Sequence, residues 1–249
     1  MTDRDELMRA LDAELEPERF RDYCPNGLQV EGRREIRRIV SGVTASLALV
    51  DAAIEAGADL LLVHHGYFWK GEPAVVTGMR RERLRRLLHH EVNLVAYHLP
   101  LDAHPDLGNN AQLARRLDFV VEGVLREDGV GQYGRPARAM SGAALRDHLS
   151  AALGREALWV PGGDHPIERI AWCTGGAQSL LTEAAALGVD AYISGEISEQ
   201  TTHEARELGV HYFAAGHHAT ERYGASALGE WCARRFGLEH RFIEIDNPA

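Results

Sequence analysis

The sequence predicts an α/β protein made of two similar halves, each with a largely parallel central sheet. Three observations predict it. Short apolar runs alternate with amphipathic helical stretches, one strand-helix-strand segment recurs further along, and polar residues gather where strands are expected to end. A chain of 249 residues, 45% of them hydrophobic, can bury a substantial core as one large α/β domain or two smaller ones.

Residues 4–15 place Leu7, Met8, Leu11 and Leu15 on one stripe of a helix. Pro17 and then Pro25-Asn26-Gly27 break the chain, and residues 26–30 read as a turn feeding a short strand. Residues 36–43 are expected as a strand and 46–56 as a helix. The run at 60–63 is a buried strand that delivers His64 and His65 to the point where Gly66 lets the backbone leave the sheet. Neighbouring strand side chains point to opposite faces. The two imidazoles therefore serve one site only if the chain bends, or if two centres lie side by side.

A helix is expected over 80–90, a strand over 93–97 ending at His98, and a helix over 109–117. Between Phe119 and Ala139 the helical rhythm stops and Gly123, Gly129, Gly131, Gly134 and Pro136 punctuate the chain. A boundary or crossover is expected there, separating an N-terminal half, 1–123, from a C-terminal half, 124–249. Ser141 is a candidate N-cap for a helix to Leu153. A strand comes near Leu158, then the turn Pro161-Gly162-Gly163-Asp164 and a strand over 167–173.

The second half repeats the first. An ungapped offset of 131 residues takes Ile39 to Ile170, Leu49 to Leu180, Ala53 to Ala184, Gly57 to Gly188 and Asp59 to Asp190. On this register His64 and His65 correspond to Gly195 and Glu196. The strand ending at His98 corresponds to the one ending at Ala215-Gly216-His217. Polar groups at matching strand ends would be collected by a cleft between the halves, where α/β proteins bind ligands.

Composition excludes several classes. No apolar run approaches the roughly 20 residues that span a bilayer, and the first residues are charged and amphipathic without a secretory core, so the cytoplasm is the expected compartment. Cys24, Cys173 and Cys232 are odd in number and widely spaced, which argues for structural thiols rather than disulfides or a cysteine zinc cluster. A net charge of −10 makes nucleic acid an unfavourable partner. The Arg80-Arg81 and Arg85-Arg86 cluster has the spacing of a solvated helix face. No Walker-type phosphate loop is present.

Four segments carry candidate chemistry: His64-His65, residues 98–102, residues 194–196 and residues 216–221. His217 and Glu221 lie four apart at a helix start, on one face. Imidazole and carboxylate donors suit zinc, iron or manganese, and the lack of cysteine ligands favours a catalytic site over a closed structural one. His64, His65, Asp102, His217 and Glu221 are too many for one catalytic ion with an open position. They suit two, with one carboxylate shared, at the roughly 3.5–4 Å separation of such pairs.

The stretches VHHGYFWKG, YHLPLDAHPDLGNNAQLA, SGE and GHHATERYG, with the earlier NGLQVEG, resemble the bacterial GTP cyclohydrolase I type 2 homologs, the family also named for the NGG-one interacting factor three. The resemblance spans nearly the whole chain. It implies two similar, interlocked α/β domains with a dinuclear centre in the cleft between them, bound by His64, His65, Asp102, His217 and Glu221, with Glu221 bridging. It also implies a ring-shaped homohexamer. Longer relatives carry an extra domain between the halves, for which residues 124–140 leave no room. Many relatives read His-His-Pro where this chain has Gly66, a change that alters the loop and spares the ligands.

The expected function is a dinuclear metal-dependent hydrolase acting through metal-activated water on a small molecule, a nucleotide such as GTP if the family's name holds. His98 and Glu196 are the candidates for proton transfer or for orienting ligands. Two other classes compete: a metal-binding regulatory or scaffold ring without catalysis, and a ring associated with DNA repair, which the net charge disfavours.

Overall fold

The computed structural model describes residues 1–249. In chain order, β1 (Thr2–Asp3) leads into α1 (Arg4–Leu15), followed by β2 (Gly27–Val30), β3 (Glu35–Ile36), β4 (Arg38–Thr44), α2 (Leu47–Glu55), β5 (Leu60–His65) and α3 (Gly78–His89). Next come β6 (Asn93–Ala96), α4 (Leu99–Ala103), α5 (Asn109–Arg116), β7 (Phe119–Val124), β8 (Gln132–Pro136), α6 (Gly142–Leu153) and β9 (Leu158–Val160). The chain finishes with β10 (Ile170–Trp172), α7 (Leu181–Ala186), β11 (Ala191–Ser194), α8 (Glu199–Leu208), β12 (His211–Ala214), α9 (His217–Phe236) and β13 (Glu239–Phe242). No helix is long and apolar enough to cross a membrane.

Contacts group the chain into two units, Met1–Leu101 with Gly224–Asp246, and Asp102–Tyr223 with Asn247–Ala249. This grouping differs from a single cut near residue 123, and it places Asp102 in the second unit. Pairing and packing explain it. β13 runs parallel to β4, with Glu239 opposite Arg38, and draws the late segment into the first unit. Leu113 and Ala114 of α5, with Leu117 just past its end, share one apolar cluster with Ile170 and Trp172, which draws residues 102–123 into the second.

The first unit holds a five-stranded sheet in the order β13-β4-β5-β6-β2, parallel except where β2 meets β6. Val40, Leu61, Val63, Leu94 and Ala96 pack on Leu49, Val50 and Ala53 of α2 and on Leu87 of α3. The alternate residues Ile39, Leu60, Leu62 and Val95 are equally inaccessible to water, as befits strands covered on both faces. That double burial is why residues 60–63 read as an unbroken apolar run. Cutting Leu61 to Ala would cost about 2–5 kcal/mol. Asp3 caps α1 by accepting from the backbone N–H groups of Asp5 and Glu6, and Ser46 does the same for α2 through Leu49.

The second unit holds a six-stranded sheet in the order β7-β8-β10-β11-β12-β9. Only β10, β11 and β12 are mutually parallel; β7, β8 and β9 run antiparallel to their neighbours. The expectation of a largely parallel sheet is met in the first unit and corrected in the second, where the sheet is mixed. The cause lies in residues 119–136, expected as a boundary or crossover but folded as an antiparallel hairpin on the sheet edge. Its glycines have separate duties. Gly129 and Gly131 turn the chain at φ +88° and +76°, and a side chain on Gly134 would meet the Val120 carbonyl at 1.9 Å. At the other edge His211 ties β9 to β12. Its Nδ1 accepts from Trp159 Nε1 (3.3 Å) and from Gly162 N (3.2 Å), so Nε2 carries the hydrogen donated to the His165 carbonyl at 3.2 Å.

The repeat extends to individual hydrogen bonds. Asp59 Oδ2 accepts from Arg37 N and Arg38 N at 2.8 and 3.0 Å, and Asp190 Oδ2 accepts from Glu168 N and Arg169 N at 2.8 and 2.7 Å. Each aspartate comes after a glycine in the left-handed region, Gly57 at φ +68° and Gly188 at φ +69°. The Gly-x-Asp signature is therefore a structural device. It ends a helix and ties the next strand to its parallel neighbour.

Candidate metal centre

In the first unit, β5 runs to its end through both histidines, with His65 opposite Thr44 of β4. His64 is fully buried and His65 half-buried. Although strand neighbours point to opposite faces, the ring centroids are only 4.4 Å apart. His64 Nδ1 lies 3.0 Å from the Tyr97 carbonyl, which only accepts. The hydrogen therefore sits on Nδ1 and the lone pair on Nε2, the tautomer a metal ligand needs. His65 Nδ1 is paired with the Thr44 hydroxyl at 3.1 Å.

The turn after β5 is not made by a left-handed Gly66. A side chain there would strike Gln29 Oε1 at 2.1 Å, and Gln29 Oε1 also accepts from Tyr67 N at 2.6 Å. The left-handed residue is Phe68, at φ +65°, and it turns the chain so that Trp69 comes back towards the histidines.

His98, just past β6, completes a three-histidine cluster. Donor atoms of His64, His65 and His98 lie within 4.8 Å of one another. His98 Nδ1 is 2.7 Å from Asp22 Oδ1. Asp22 Oδ2 accepts from Leu99 N and from Asn26 Nδ2, both at 2.9 Å, and Asn26 Oδ1 accepts from His98 N at 2.8 Å. Burial works to raise the Asp22 carboxyl, but the bonds from His98 and Asn26 outweigh it and hold the group down at about 2. Asp22 is thus a carboxylate that orients the His98 ring.

In the second unit, Asp102 is buried at the end of α4. Its Oδ1 accepts from Asn109 Nδ2 at 2.9 Å and from the Thr174 hydroxyl at 3.3 Å, and its backbone carbonyl accepts from Asn110 Nδ2 at 3.1 Å. His217 and Glu221 lie one turn apart at the start of α9, with His217 Nε2 3.2 Å from Glu221 Oε2. The other ring nitrogen, Nδ1, is 2.7 Å from Glu196 Oε1. Burial pulls the His217 imidazole down, and the carboxylates of Glu221 and Glu196 more than reverse it, raising the group to about 9. Asp102 and Glu221 both press on Cys173, whose thiol is pushed well above its usual range by burial first and then by these two charges. Gly175 holds the space beside them, since a side chain would fall 2.1 Å from Glu221 Oε1. Its N–H donates to the Thr220 hydroxyl at 3.0 Å.

The first unit therefore presents imidazoles at the end of β5 and just past β6, and the second presents two carboxylates, on α4 and α9, with one imidazole at the start of α9. The three cysteines are buried and free. Burial pushes Cys24 and Cys232 up to about 12, and Cys24 lies near Asp22 and His98, its donor atom within 4.8 Å of theirs. Sequence reasoning did not single out Asp22, Asn26, Asn109, Asn110, Thr174 or Gly175. Asn26 stood in a noted turn and the Asn109-Asn110 pair in a noted motif, whereas Asp22, Thr174 and Gly175 have no local signature.

A family profile, Duf34/NIF3 (NGG1p interacting factor 3), matches residues 2–248. A protein of Allochromatium vinosum named GTP cyclohydrolase 1 type 2 homolog is 58% identical over 250 residues, spanning 100% of this chain and 98% of the relative. One of the same name from Escherichia coli K12 is 51% identical over 245 residues, 98% of each chain. Among solved structures, a protein called ybgI, described as of unknown function, is similar with a TM-score of 0.97 at 50% identity over 100% of both chains. A protein of Thermus thermophilus has a TM-score of 0.92 at 36% identity, again over 100% of both.

Proposed function

Because the chain belongs to the Duf34/NIF3 family, we propose that it is a metal-dependent hydrolase in which His64, His65, Asp102, His217 and Glu221 hold two divalent cations, with Glu221 shared. One observation supports this above the others: the donors are oriented in advance. Tyr97 sets the His64 tautomer, and Asn109 with Thr174 holds the buried Asp102 carboxylate. Nitrogen and oxygen donors without thiolate match zinc, iron or manganese.

Bound cations of this kind supply a water whose pKa falls from near 16 to about 7, a nucleophile at neutral pH. The protein's own groups do the rest. His98, turned by Asp22 so that Nδ1–H faces the carboxylate, presents Nε2 for proton transfer. Glu196 orients His217 through Nδ1. The name carried by the relatives points to GTP as substrate and to hydrolytic opening of its guanine five-membered ring. A ring-shaped homohexamer belongs to the same proposal, checked by molar mass from light scattering.

The test is metal analysis of protein purified without added metal, paired with a hydrolase screen over nucleotides and phosphoesters. Asp102→Ala and Glu221→Ala are expected to strip metal. His98→Ala is expected to keep it and lose turnover. Two ions per chain retained in Glu221→Ala would overturn the bridging assignment, and metal without turnover in the native protein would overturn the hydrolase.

A further inference from the structure

Two aromatic side chains stand beside the three-histidine cluster of the first unit without belonging to its core. Trp69 is half-buried, its ring centroid 5.0 Å from that of His98 and 5.9 Å from that of His65. Tyr23 is 61% exposed, with its ring 6.4 Å from His98. Large aromatic surface left to water next to convergent polar groups is the mark of a ligand site rather than of a core.

The loops carrying them are fixed. Lys70 N donates to the Tyr23 carbonyl at 2.7 Å, tying one loop to the other. Trp69 Nε1 donates to the Gly66 carbonyl at 3.1 Å, which uses the polar edge of the indole within its own loop and sets the ring's orientation. The left-handed backbone at Phe68 is what returns Trp69 to the histidines. Asp22 and Asn26, flanking Tyr23, are spent on His98 and Leu99 and hold that loop from the other side.

The chemistry of the surroundings selects the occupant. Organic cations also favour aromatic faces, but the exposed Lys70 follows Trp69 directly, and the carboxylate beside Tyr23, Asp22, is already engaged by His98, Asn26 and Leu99, so nothing here is left to pair with one. An aliphatic group needs no aromatic partner. A neutral planar ring gains from stacking on either π face and tolerates variation in its own substituents.

We propose that Tyr23 and Trp69 form an aromatic subsite that takes the planar heteroaromatic ring of a small molecule and presents it to His65 and His98. This assigns the ring of the substrate proposed above to two particular side chains and rests on that proposal for its catalytic meaning, while the binding itself stands apart from it. A nucleobase and a free pterin share the chemistry.

Calorimetric titration of the metal-loaded full-length protein separates the sources, with guanosine 5′-monophosphate, pterin-6-carboxylate and, as the ring-free control, ribose 5-phosphate. Binding of either planar probe, weakened about tenfold or more in both Trp69→Ala and Tyr23→Ala and within about threefold of native in Trp69→Phe, supports the subsite. The probe that binds identifies the source. No binding of either planar probe, native-like binding in Tyr23→Ala, or ribose 5-phosphate binding as tightly as the nucleotide overturns it. Tyr23 is exposed enough that its variant folds whatever becomes of Trp69→Ala. The same titration on metal-stripped Glu221→Ala tells the two proposals apart. Ring binding that persists there with its Tyr23 dependence supports the subsite whatever the fate of the hydrolase, whereas a native enzyme that turns over yet ignores Tyr23→Ala sinks the subsite alone.

Discussion

Gly175→Ala tests whether the space beside Glu221 is reserved for a carboxylate in one fixed place. Gly175 has φ +71°, so any side chain there costs about 1–2 kcal/mol in backbone strain. The added methyl would also lie 2.1 Å from Glu221 Oε1 and 3.2 Å from His217 Nε2. Glu221 cannot swing into water, being only 3% exposed, so relief requires moving a packed group at about 1–3 kcal/mol more. The total is about 2–5 kcal/mol. Gly154→Ala is the control: φ is +70° and nothing lies within 4 Å, so it carries the backbone part alone. For a chain of this length each kcal/mol moves the melting temperature by about 2–4 °C. Scanning calorimetry of chelator-treated protein should therefore show Gly175→Ala melting about 10 °C below native and Gly154→Ala only a few degrees below. Metal content by mass spectrometry should fall in Gly175→Ala and hold in Gly154→Ala. If the two variants melt together and both keep native metal, the Glu221 carboxylate is not confined as described.

The His211 ring carries a pH dependence. Burial lowers its pKa from 6.5, and protonation would put a hydrogen on Nδ1, where Trp159 and Gly162 already donate. The unfolded chain takes up the proton first as pH falls, so the contribution of the neutral ring is complete above about 6.5 and drains below it towards the lower folded value. The melting temperature should fall more steeply between pH 7 and 5 in native protein than in His211→Asn, whose carbonyl accepts at any pH; parallel curves would refute this. The repeated aspartates make a second pair. Asp59→Ala strands the N–H groups of Arg37 and Arg38 and releases Arg33, whereas Asp190→Ala strands only Glu168 and Arg169. Each should cost about 1–3 kcal/mol in urea denaturation, Asp59→Ala the more, and a neutral result at both would remove the shared device.

Most elements were legible because their periodicities are written in adjacent residues. Ser141 caps its helix as expected, and Leu7, Leu11 and Leu15 are buried along the expected stripe with Met8 half-buried beside them, whereas Ser46, expected inside its helix, caps it instead. The Gly-x-Asp repeat was visible as letters and recurs as matched hydrogen bonds. The β7–β8 hairpin was hidden, because its strands alternate poorly: Val120, Val121 and Val124 are all partly exposed on a sheet edge, which left only glycines to read. The candidate ligands could be nominated by type and position at strand ends. Their supports could not, since Asp22 reaches His98 across 76 residues and Thr174 reaches Asp102 across 72.

The sequence by itself determined the local elements, the two-fold recurrence and the residue types available for metal chemistry. All of these come from side-chain character at short spacing. Tertiary structure alone decided that β13 joins a strand some 200 residues earlier, that residues 102–123 group with the later part of the chain, and that His64 and His65, alternating on one strand, still bring their rings within 4.4 Å. The physical reason is that periodicity is set by neighbours a few residues away. Strand pairing and side-chain orientation are set by whichever distant segment packs there, and no stretch of sequence records its partner.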